Sequence, residues 1–202
     1  MNPFVPASLQ QDLILASASP RRRALLEGLG FAFAVEPSDY PEDDGDLSPA
    51  GAARAHAAGK AEAVALRRPG ALVIGADTVV ALDGASLGKP ADAAAARAML
   101  ERLSGREHAV ITGLALVRHE PGCQLLRRRV ADSRTQVRFR PLAPAEIDAY
   151  VASGDCFDKA GAYGIQGLAA QFVTGIKGCY FNVMGLPLEL LTRMLQDWTE
   201  SP

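Results

Sequence analysis

The chain has 202 residues, of which 49% are hydrophobic and 22% are charged, and its formal net charge at pH 7 is −2. This composition predicts a globular protein with a sizeable core, and the lack of a basic excess argues against a nucleic-acid polymer as partner. The three cysteines are widely spaced without a C-x-x-C pair, so we expect a cytoplasmic protein without disulfides or structural zinc. Neither a signal-peptide pattern nor an apolar run of about 20 residues is found, and no membrane partner is expected.

The first half of the chain alternates short apolar stretches with helical ones. Strands are predicted at residues 12–16, 31–35 and 71–82, and helices at residues 20–30, 49–68 and 91–103. Residues 37–49 are acidic and rich in turn formers, which predicts a loop. Asp83 and Gly84 predict a hairpin whose return strand ends at Lys89 and Pro90.

The second half is richer in strands. Two β segments are predicted at residues 108–118 and 125–140, joined by a turn at Pro121 and Gly122, and a helix at residues 143–152. A glycine-dense loop at 158–167, a short pair of hairpin strands and a closing helix at 186–198 complete the chain. The alternation predicts an α/β fold over residues 1–202, with a mixed twisted sheet flanked by helices and two lobes around a central cleft.

The first candidate site lies where the first strand meets its helix. A helix is predicted to begin at Pro20, and its start is flanked by Ser17, Ser19, Arg21 and Arg22. Two hydroxyls, free backbone N–H groups and two guanidinium groups therefore meet at one point. Such a helix N-terminus binds phosphate, and arginine can hold two phosphate oxygens at once. The alternative is a capped helix with solvated arginines.

Carboxylates supply the second candidate. Asp77 interrupts the apolar strand ALVIGADTVVAL, where it must be paired, bound to metal, or used as a base. Its structural alternative is a strand-end residue bonded to nearby N–H groups. The acidic loop, which contains Glu42, offers ligands for a hard cation, although such clusters are commonly only solvated.

The lysines and histidines of the chain offer further candidates. Lys60, Lys89 and Lys159 lie beside these motifs in a chain that is rich in arginine, and an ammonium group suits phosphate; the alternative for each is a surface lysine. The glycine-dense loop has neither Walker spacing nor a dinucleotide fingerprint. The histidines His56, His108 and His119 have no ligand spacing, so we expect structural or surface roles for them.

Six ordered blocks of the sequence resemble those of the Maf-type nucleotide pyrophosphatases, which are also known as septum-formation inhibitor proteins. The blocks are LASASPRR, IGADTVV, GKP, SGREHAVITG, DKAGAYGIQG and NVMGLPL, and the match as a whole covers nearly the entire chain. The resemblance implies an inosine-triphosphatase-like fold and a hydrolase that cleaves nucleoside triphosphates to the monophosphate and pyrophosphate with Mg²⁺ or Mn²⁺. It also implies a homodimer.

The resemblance assigns roles to individual residues. Asp77 matches the proton acceptor, and Asp77 and Glu42 are the expected metal ligands. Positions linked to substrate choice are matched by Arg21, Thr78 and Gln166. Other positions of the substrate pocket are matched by Ser17, Arg22, Glu42, Lys60 and Lys89.

The block DKAGAYGIQG together with Thr78 resembles the dTTP/UTP branch of the family, rather than the branch that acts on 7-methyl-GTP. The amide of Gln166 has both a donor and an acceptor with which to read a pyrimidine edge. Two alternatives remain at this stage. One is a regulator of septation or cell division that binds a nucleotide without turnover, and the other is an enzyme that removes modified pyrimidine triphosphates.

Overall fold

A computed structural model describes residues 2–43, 45–122 and 125–198. The strands of this part are β1 Leu13–Leu15, β2 Ala34–Val35, β3 Leu72–Leu82, β4 Ala85–Leu87, β5 Glu107–His119, β6 Leu126–Phe139 and β7 Val173–Lys177. Its α-helices are α1 Pro20–Gly28, α2 Pro49–Arg67, α3 Ala93–Leu103, α4 Pro144–Ala152, α5 Tyr180–Val183 and α6 Leu188–Trp198. Among the described helices, none combines the length and apolarity that crossing a bilayer requires.

All seven strands form one mixed sheet. Its order is β2-β1-β3-β5-β6-β7, and β4 also pairs with β3. β1 is parallel to both β2 and β3, whereas the pairs from β3 through β5 and β6 to β7 are antiparallel. The sheet and its flanking helices confirm the predicted mixed α/β fold.

Strand pairing along one edge of β3 is interrupted, and a pocket opens at the interruption. β1 pairs with β3 as far as Ile74, and β4 pairs with the same edge from Val80 onward, while β5 covers the opposite edge without a break. Among the described residues, no strand therefore lies beside residues 75–79 on that edge. Side chains at the end of β1, at the end of β4 and in the middle of β3 converge on this opening.

Two hydrophobic clusters cover the same face of β3 on either side of the opening. Leu72 and Ile74 pack in a cluster with residues of α1 and α6, whereas Val80 and Leu82 pack in a cluster with residues of α3 and α4. Thr78 lies between them on this face, because side chains alternate along a strand. The two clusters correspond to the two lobes of the prediction, and one continuous sheet joins them.

Helix α2 covers the other face of β3 and β5 at unusually short range. A Cβ atom added to Gly75 would lie 2.1 Å from the carbonyl oxygen of Ala57, and one added to Gly113 would lie 2.1 Å from that of Ala53. Glycine at both positions and alanine on the facing side of the helix allow the backbones to touch. Because Gly113 pairs with Asp77 across the ladder, this contact brings α2 directly to the candidate base.

The structure corrects several predicted boundaries. The strand expected at residues 31–35 is limited to Ala34–Val35, because Phe31 packs into the core instead. The helix expected from residue 91 begins at Ala93, since Asp92 caps it by accepting a bond of 2.7 Å from the backbone N–H of Ala95.

The predicted hairpin pair near the C-terminus is wrong. Only β7 is a strand there, and α5 follows it as one helical turn. The side chain of Asn182 in α5 donates bonds of 3.0 Å each to the carbonyl oxygen of Val110 and to the hydroxyl of Thr135. These buried tertiary bonds favour the helical turn over a second strand. The closing helix begins at Leu188, after Pro187, rather than at residue 186.

We predict that Gly113→Ala destabilises the protein by about 1–3 kcal/mol, because the added methyl group must push α2 away from the sheet. Gly28→Ala is the matched control, since a Cβ atom at Gly28 would meet nothing within 4 Å. Chemical denaturation of both variants measures the effect. Equal stability of the two variants would contradict the close packing of α2 on β5.

Candidate functional site

A pocket of about 1000 Å³ opens at the unpaired edge of β3. Its walls are the end of β1 with the start of α1, the end of β4, the side of α2 and the glycine-dense loop at residues 158–167. The structure brings every site residue named from the sequence to this pocket: Ser17, Arg21, Arg22, Glu42, Lys60, Asp77, Thr78, Lys89 and Gln166. Their individual roles stay predictions.

A carboxylate pair bridged by an ammonium group forms the centre of the pocket. Lys60 Nζ lies 2.6 Å from Asp77 Oδ1 and 2.6 Å from Glu42 Oε1. Asp77 is only 8% exposed, so its charge is compensated by direct contact with a cation rather than by water. The prediction that Asp77 needs a partner inside its apolar strand is thus confirmed. The acidic loop reaches the pocket through Glu42 and Asp43, whereas Asp44 lies outside the described residues.

His56 lies on the same side of α2 as Lys60, one helical turn earlier. Its Nδ1 atom is 3.7 Å from Asp77 Oδ2, and its Nε2 atom is 3.2 Å from the carbonyl oxygen of Asp43. The ring is buried, with 3% of the residue exposed. His56 was not predicted from the sequence to line the site, although its i, i+4 spacing from Lys60 places both residues on one helix face.

Arg22 presents a positive charge that is held by neutral groups. Its guanidinium donates to Ser17 Oγ at 3.0 Å, to Thr78 Oγ1 at 3.1 Å and to the carbonyl oxygen of Gly185 at 2.8 Å. Burial lowers the pKa of Arg22 below its usual value, and the nearby charge of Asp77 offsets only part of this shift. Because these three acceptors carry no charge, the guanidinium is oriented without being neutralised, which suits an incoming anion.

The bonds behind Arg22 form a chain with one direction. Thr112 donates its hydroxyl to the carbonyl oxygen of Asn182 at 2.9 Å, and its oxygen lies 3.0 Å from that of Thr78. Because the carbonyl of Asn182 can only accept and Arg22 can only donate, Thr78 must accept from Arg22 and donate to Thr112. Thr78 therefore fixes the position of the guanidinium. Thr112 and Asn182 lie in the blocks SGREHAVITG and NVMGLPL, but no role in the site was predicted for either residue.

Helix α1 begins beside this chain. Ser19 is the residue before the helix, and its hydroxyl accepts a long bond of 3.4 Å from the backbone N–H of Arg22. Ser19 also donates its own N–H to Ser17 Oγ at 3.3 Å. The helix is therefore capped, as in the alternative interpretation, but its arginines are not simply solvated, because Arg22 turns into the pocket and Arg21 bridges to the facing loop.

That facing loop carries its own charge network. Arg21 Nη1 lies 3.2 Å from Asp158 Oδ2, which connects α1 to the glycine-dense loop across the pocket. Lys159 Nζ lies 2.6 Å from Asp158 Oδ1 and 3.0 Å from Asp155 Oδ1. Arg21 and Lys159 are thus both paired with carboxylates. The carboxylate partners of this network, Asp155 and Asp158, were not among the residues predicted for the site.

Lys89 and Gln166 differ from the paired residues. Both are exposed to the pocket, and within the described part of the chain no carboxylate pairs with Lys89 and no side-chain hydrogen bond holds Gln166. An ammonium group without a partner is available to a bound anion. An amide without a partner is available to a polar ligand edge.

Tyr163 lines the pocket, and two further aromatic rings pack behind it. His108 Nε2 lies 2.6 Å from the hydroxyl of Tyr163, and the ring of Phe139 packs edge-on against Tyr163 with centroids 4.7 Å apart. Burial lowers the pKa of His108 to about 4 and raises the pKa of Tyr163, so both are neutral at physiological pH. His108 therefore has the structural role expected from the sequence, whereas His56 lines the pocket.

Comparisons with known proteins agree with this arrangement. The family model described as Maf-like protein matches residues 12–198. A dTTP/UTP pyrophosphatase of Symbiobacterium thermophilum is 50% identical over 189 residues, which cover 93% of this chain and 94% of that protein. A dTTP/UTP pyrophosphatase of Moorella thermoacetica is 52% identical over 184 residues, which cover 91% of this chain and 93% of that protein. By its sequence blocks, its mixed sheet and these matches, the chain belongs to the Maf-like protein family.

Proposed function

We propose that this protein hydrolyses a nucleoside triphosphate between its α- and β-phosphates, releasing the monophosphate and pyrophosphate, and that dTTP and UTP are its substrates. The observation that carries the proposal is the pocket itself, where a buried carboxylate lies among cationic side chains at the open edge of β3. The names of the similar proteins, dTTP/UTP pyrophosphatase, support the same activity and the same substrates.

Arg22 and Lys89 are the groups best suited to bind the phosphates. Both line the pocket, and neither charge is neutralised by a carboxylate of the described residues at ion-pair distance. Charge-assisted bonds to phosphate are the strong class of hydrogen bond, and the planar guanidinium can make two of them in parallel. The backbone N–H groups at the start of α1 lie beside Ser17 and add partial positive charge.

Asp77 is the proposed proton acceptor. Lys60 binds its Oδ1 atom at 2.6 Å, which orients the carboxylate and balances its charge. The carboxylate accepts the proton of the attacking water, whose oxygen forms the new bond to the α-phosphorus. The bridging bond between the α- and β-phosphates breaks. The leaving pyrophosphate carries the electron pair of that bond.

The donor set also fits a divalent cation. Ligand atoms of Glu42 and Asp77 lie within 4.8 Å of each other, and carboxylate oxygens are the ligands that Mg²⁺ and Mn²⁺ prefer. We therefore propose that these two residues hold the Mg²⁺ or Mn²⁺ ion expected for the family. When bound, such an ion neutralises phosphate charge and polarises the phosphoryl oxygens.

Substrate choice is assigned to the side of the pocket that holds the glycine-dense loop. Gln166 presents an amide that can both donate to and accept from a pyrimidine edge. Arg21 reaches the same loop through Asp158, so its influence on the substrate includes the position of that loop. Thr78 acts through Arg22, to which it is hydrogen-bonded. The homodimer and the cytoplasmic location stay predictions.

The first test of the function is a screen of canonical and modified triphosphates with Mg²⁺ or Mn²⁺. We expect pyrophosphate as the first inorganic product from dTTP and UTP, and little turnover of purine triphosphates. Orthophosphate as the first product would contradict the reaction class, and equal turnover of 7-methyl-GTP would contradict the substrate assignment. Binding of nucleotides without turnover would instead support a regulator.

The second test is Asp77→Asn, which keeps the shape of the side chain and removes the base. We expect turnover to fall about 10²–10⁴-fold, the usual contribution of a general base. Lys60 keeps its contact with Glu42, so the melting temperature should change little. Asp83→Asn in the β3–β4 turn is the control, because it removes a carboxylate outside the pocket. Near-normal turnover in a folded Asp77→Asn protein would eliminate Asp77 as the base.

The third test concerns the available ammonium group. Lys89→Ala should raise the KM for dTTP and lower kcat/KM by about 10–100-fold, because one charge-assisted contact contributes roughly 1.5–3 kcal/mol. Lys177→Ala removes an exposed lysine outside the pocket and serves as the control. If both variants keep the kcat/KM of the original protein, Lys89 does not bind the phosphates.

A further inference from the structure

His56 lies where a third metal ligand would be expected. Helix α2 carries His56 and Lys60 one turn apart on the face that contacts β3, and both approach the carboxylate of Asp77. The two residues approach different oxygens, since Lys60 binds Oδ1 and the ring of His56 faces Oδ2. Asp77 is therefore able to keep its contact with Lys60 while Oδ2 binds another cation.

The hydrogen bond to Asp43 shows which ring nitrogen carries a hydrogen. A carbonyl oxygen can only accept, so the Nε2 atom of His56, 3.2 Å from the carbonyl of Asp43, carries the hydrogen. In the neutral ring the lone pair is then on Nδ1, the atom 3.7 Å from Asp77 Oδ2. Histidines that bind metals have this arrangement, with one ring nitrogen donating to a carbonyl or carboxylate and the other facing the ion.

The distances fit a shared ion better than a direct bond. The separation of 3.7 Å between His56 Nδ1 and Asp77 Oδ2 exceeds hydrogen-bond length. Two ligands bound at about 2.0–2.2 Å to one ion lie at most about 4.4 Å apart. Ligand atoms of Glu42, His56 and Asp77 all lie within 4.8 Å of one another. A small movement of the half-exposed Glu42 side chain brings the set within this limit.

We propose that His56 is a nitrogen ligand of the divalent cation that Glu42 and Asp77 bind, and that it makes the site prefer Mn²⁺ to Mg²⁺. Imidazole binds transition-metal ions well, whereas Mg²⁺ takes oxygen ligands almost exclusively. The proposal rests on the proposed function for the presence of a metal. It adds His56 to the two carboxylate ligands, and it adds a preference of the site for Mn²⁺ over Mg²⁺.

The competing role for His56 is purely structural. Its ring lies near that of Tyr40, with centroids 6.1 Å apart, and Tyr40 in turn covers Gly59 on the same helix. A packing role predicts that substitution changes stability and leaves the metal environment unchanged. Spectroscopy of the bound ion separates the two roles.

The experiment measures Mn²⁺ binding to the nucleotide-free protein, together with the nitrogen coupling of the bound ion by pulsed electron paramagnetic resonance. We expect imidazole coupling in the original protein and its loss in His56→Gln. The affinity for Mn²⁺ should fall at least about tenfold in that variant, while that for Mg²⁺ falls less. His119→Gln, a histidine outside the pocket, should retain both the coupling and the affinity.

Absence of nitrogen coupling in the original protein, or of any Mn²⁺ binding, would overturn the proposal. So would coupling that persists in His56→Gln. If that variant fails to fold, the spectrum of the original protein compared with His119→Gln still decides whether an imidazole other than His119 binds the ion. A protein that releases pyrophosphate without such coupling keeps the proposed function and loses this inference. A protein that shows the coupling but releases no pyrophosphate keeps the inference and loses the function.

Discussion

The contact of α2 with the sheet is the constraint on which the rest of the site depends. Gly75 and Gly113 lie on adjacent strands, and the absence of a side chain at each lets the helix backbone rest directly on them. At a normal helix–sheet separation, His56 and Lys60 would stand well above Asp77. The small residues of the core are thus as necessary to the arrangement of the pocket as the charged ones, because they set the distance between Asp77 and its partners.

Charge balance explains how the pocket can be stable before substrate arrives. Among the residues that the structure describes, five cationic side chains line it, Arg21, Arg22, Lys60, Lys89 and Lys159, and five carboxylates do so as well, Glu42, Asp43, Asp77, Asp155 and Asp158. Because the two sets cancel, the pocket has no net positive charge to offer a triphosphate. Attraction must come from the two cations without carboxylate partners, from a divalent ion, or from an exchange of partners in which phosphate replaces a carboxylate.

Much of this organisation could be predicted from the sequence, for physical reasons that differ between elements. Asp77 could be predicted as a site residue because it is a carboxylate in a long apolar strand. Pro20 and the serines before it indicated a helix start whose first backbone N–H groups have no partner within the helix. The resemblance to a known family supplied the remaining pocket positions. The place of His56 in the pocket could not be predicted, because it depends on how closely α2 approaches the sheet. The contacts of Gly75 and Gly113 with α2 set that distance. The hairpin near the C-terminus was wrongly predicted because the bonds of Asn182 to Val110 and Thr135 join residues distant in sequence.

The opening in the edge of β3 is five residues long. β1 and β4 leave residues 75–79 uncovered, and at about 3.3 Å per residue this gap spans roughly 16 Å. An insertion of one residue in this stretch would do more than widen the gap, because it would turn every later side chain of the strand to the opposite face. Asp77 and Thr78 reach the pocket from opposite faces of the same strand, so their order along the chain places the proposed base on the α2 side and the hydrogen bond to Arg22 on the other. Insertions and deletions within the strand should therefore be much less tolerable than substitutions.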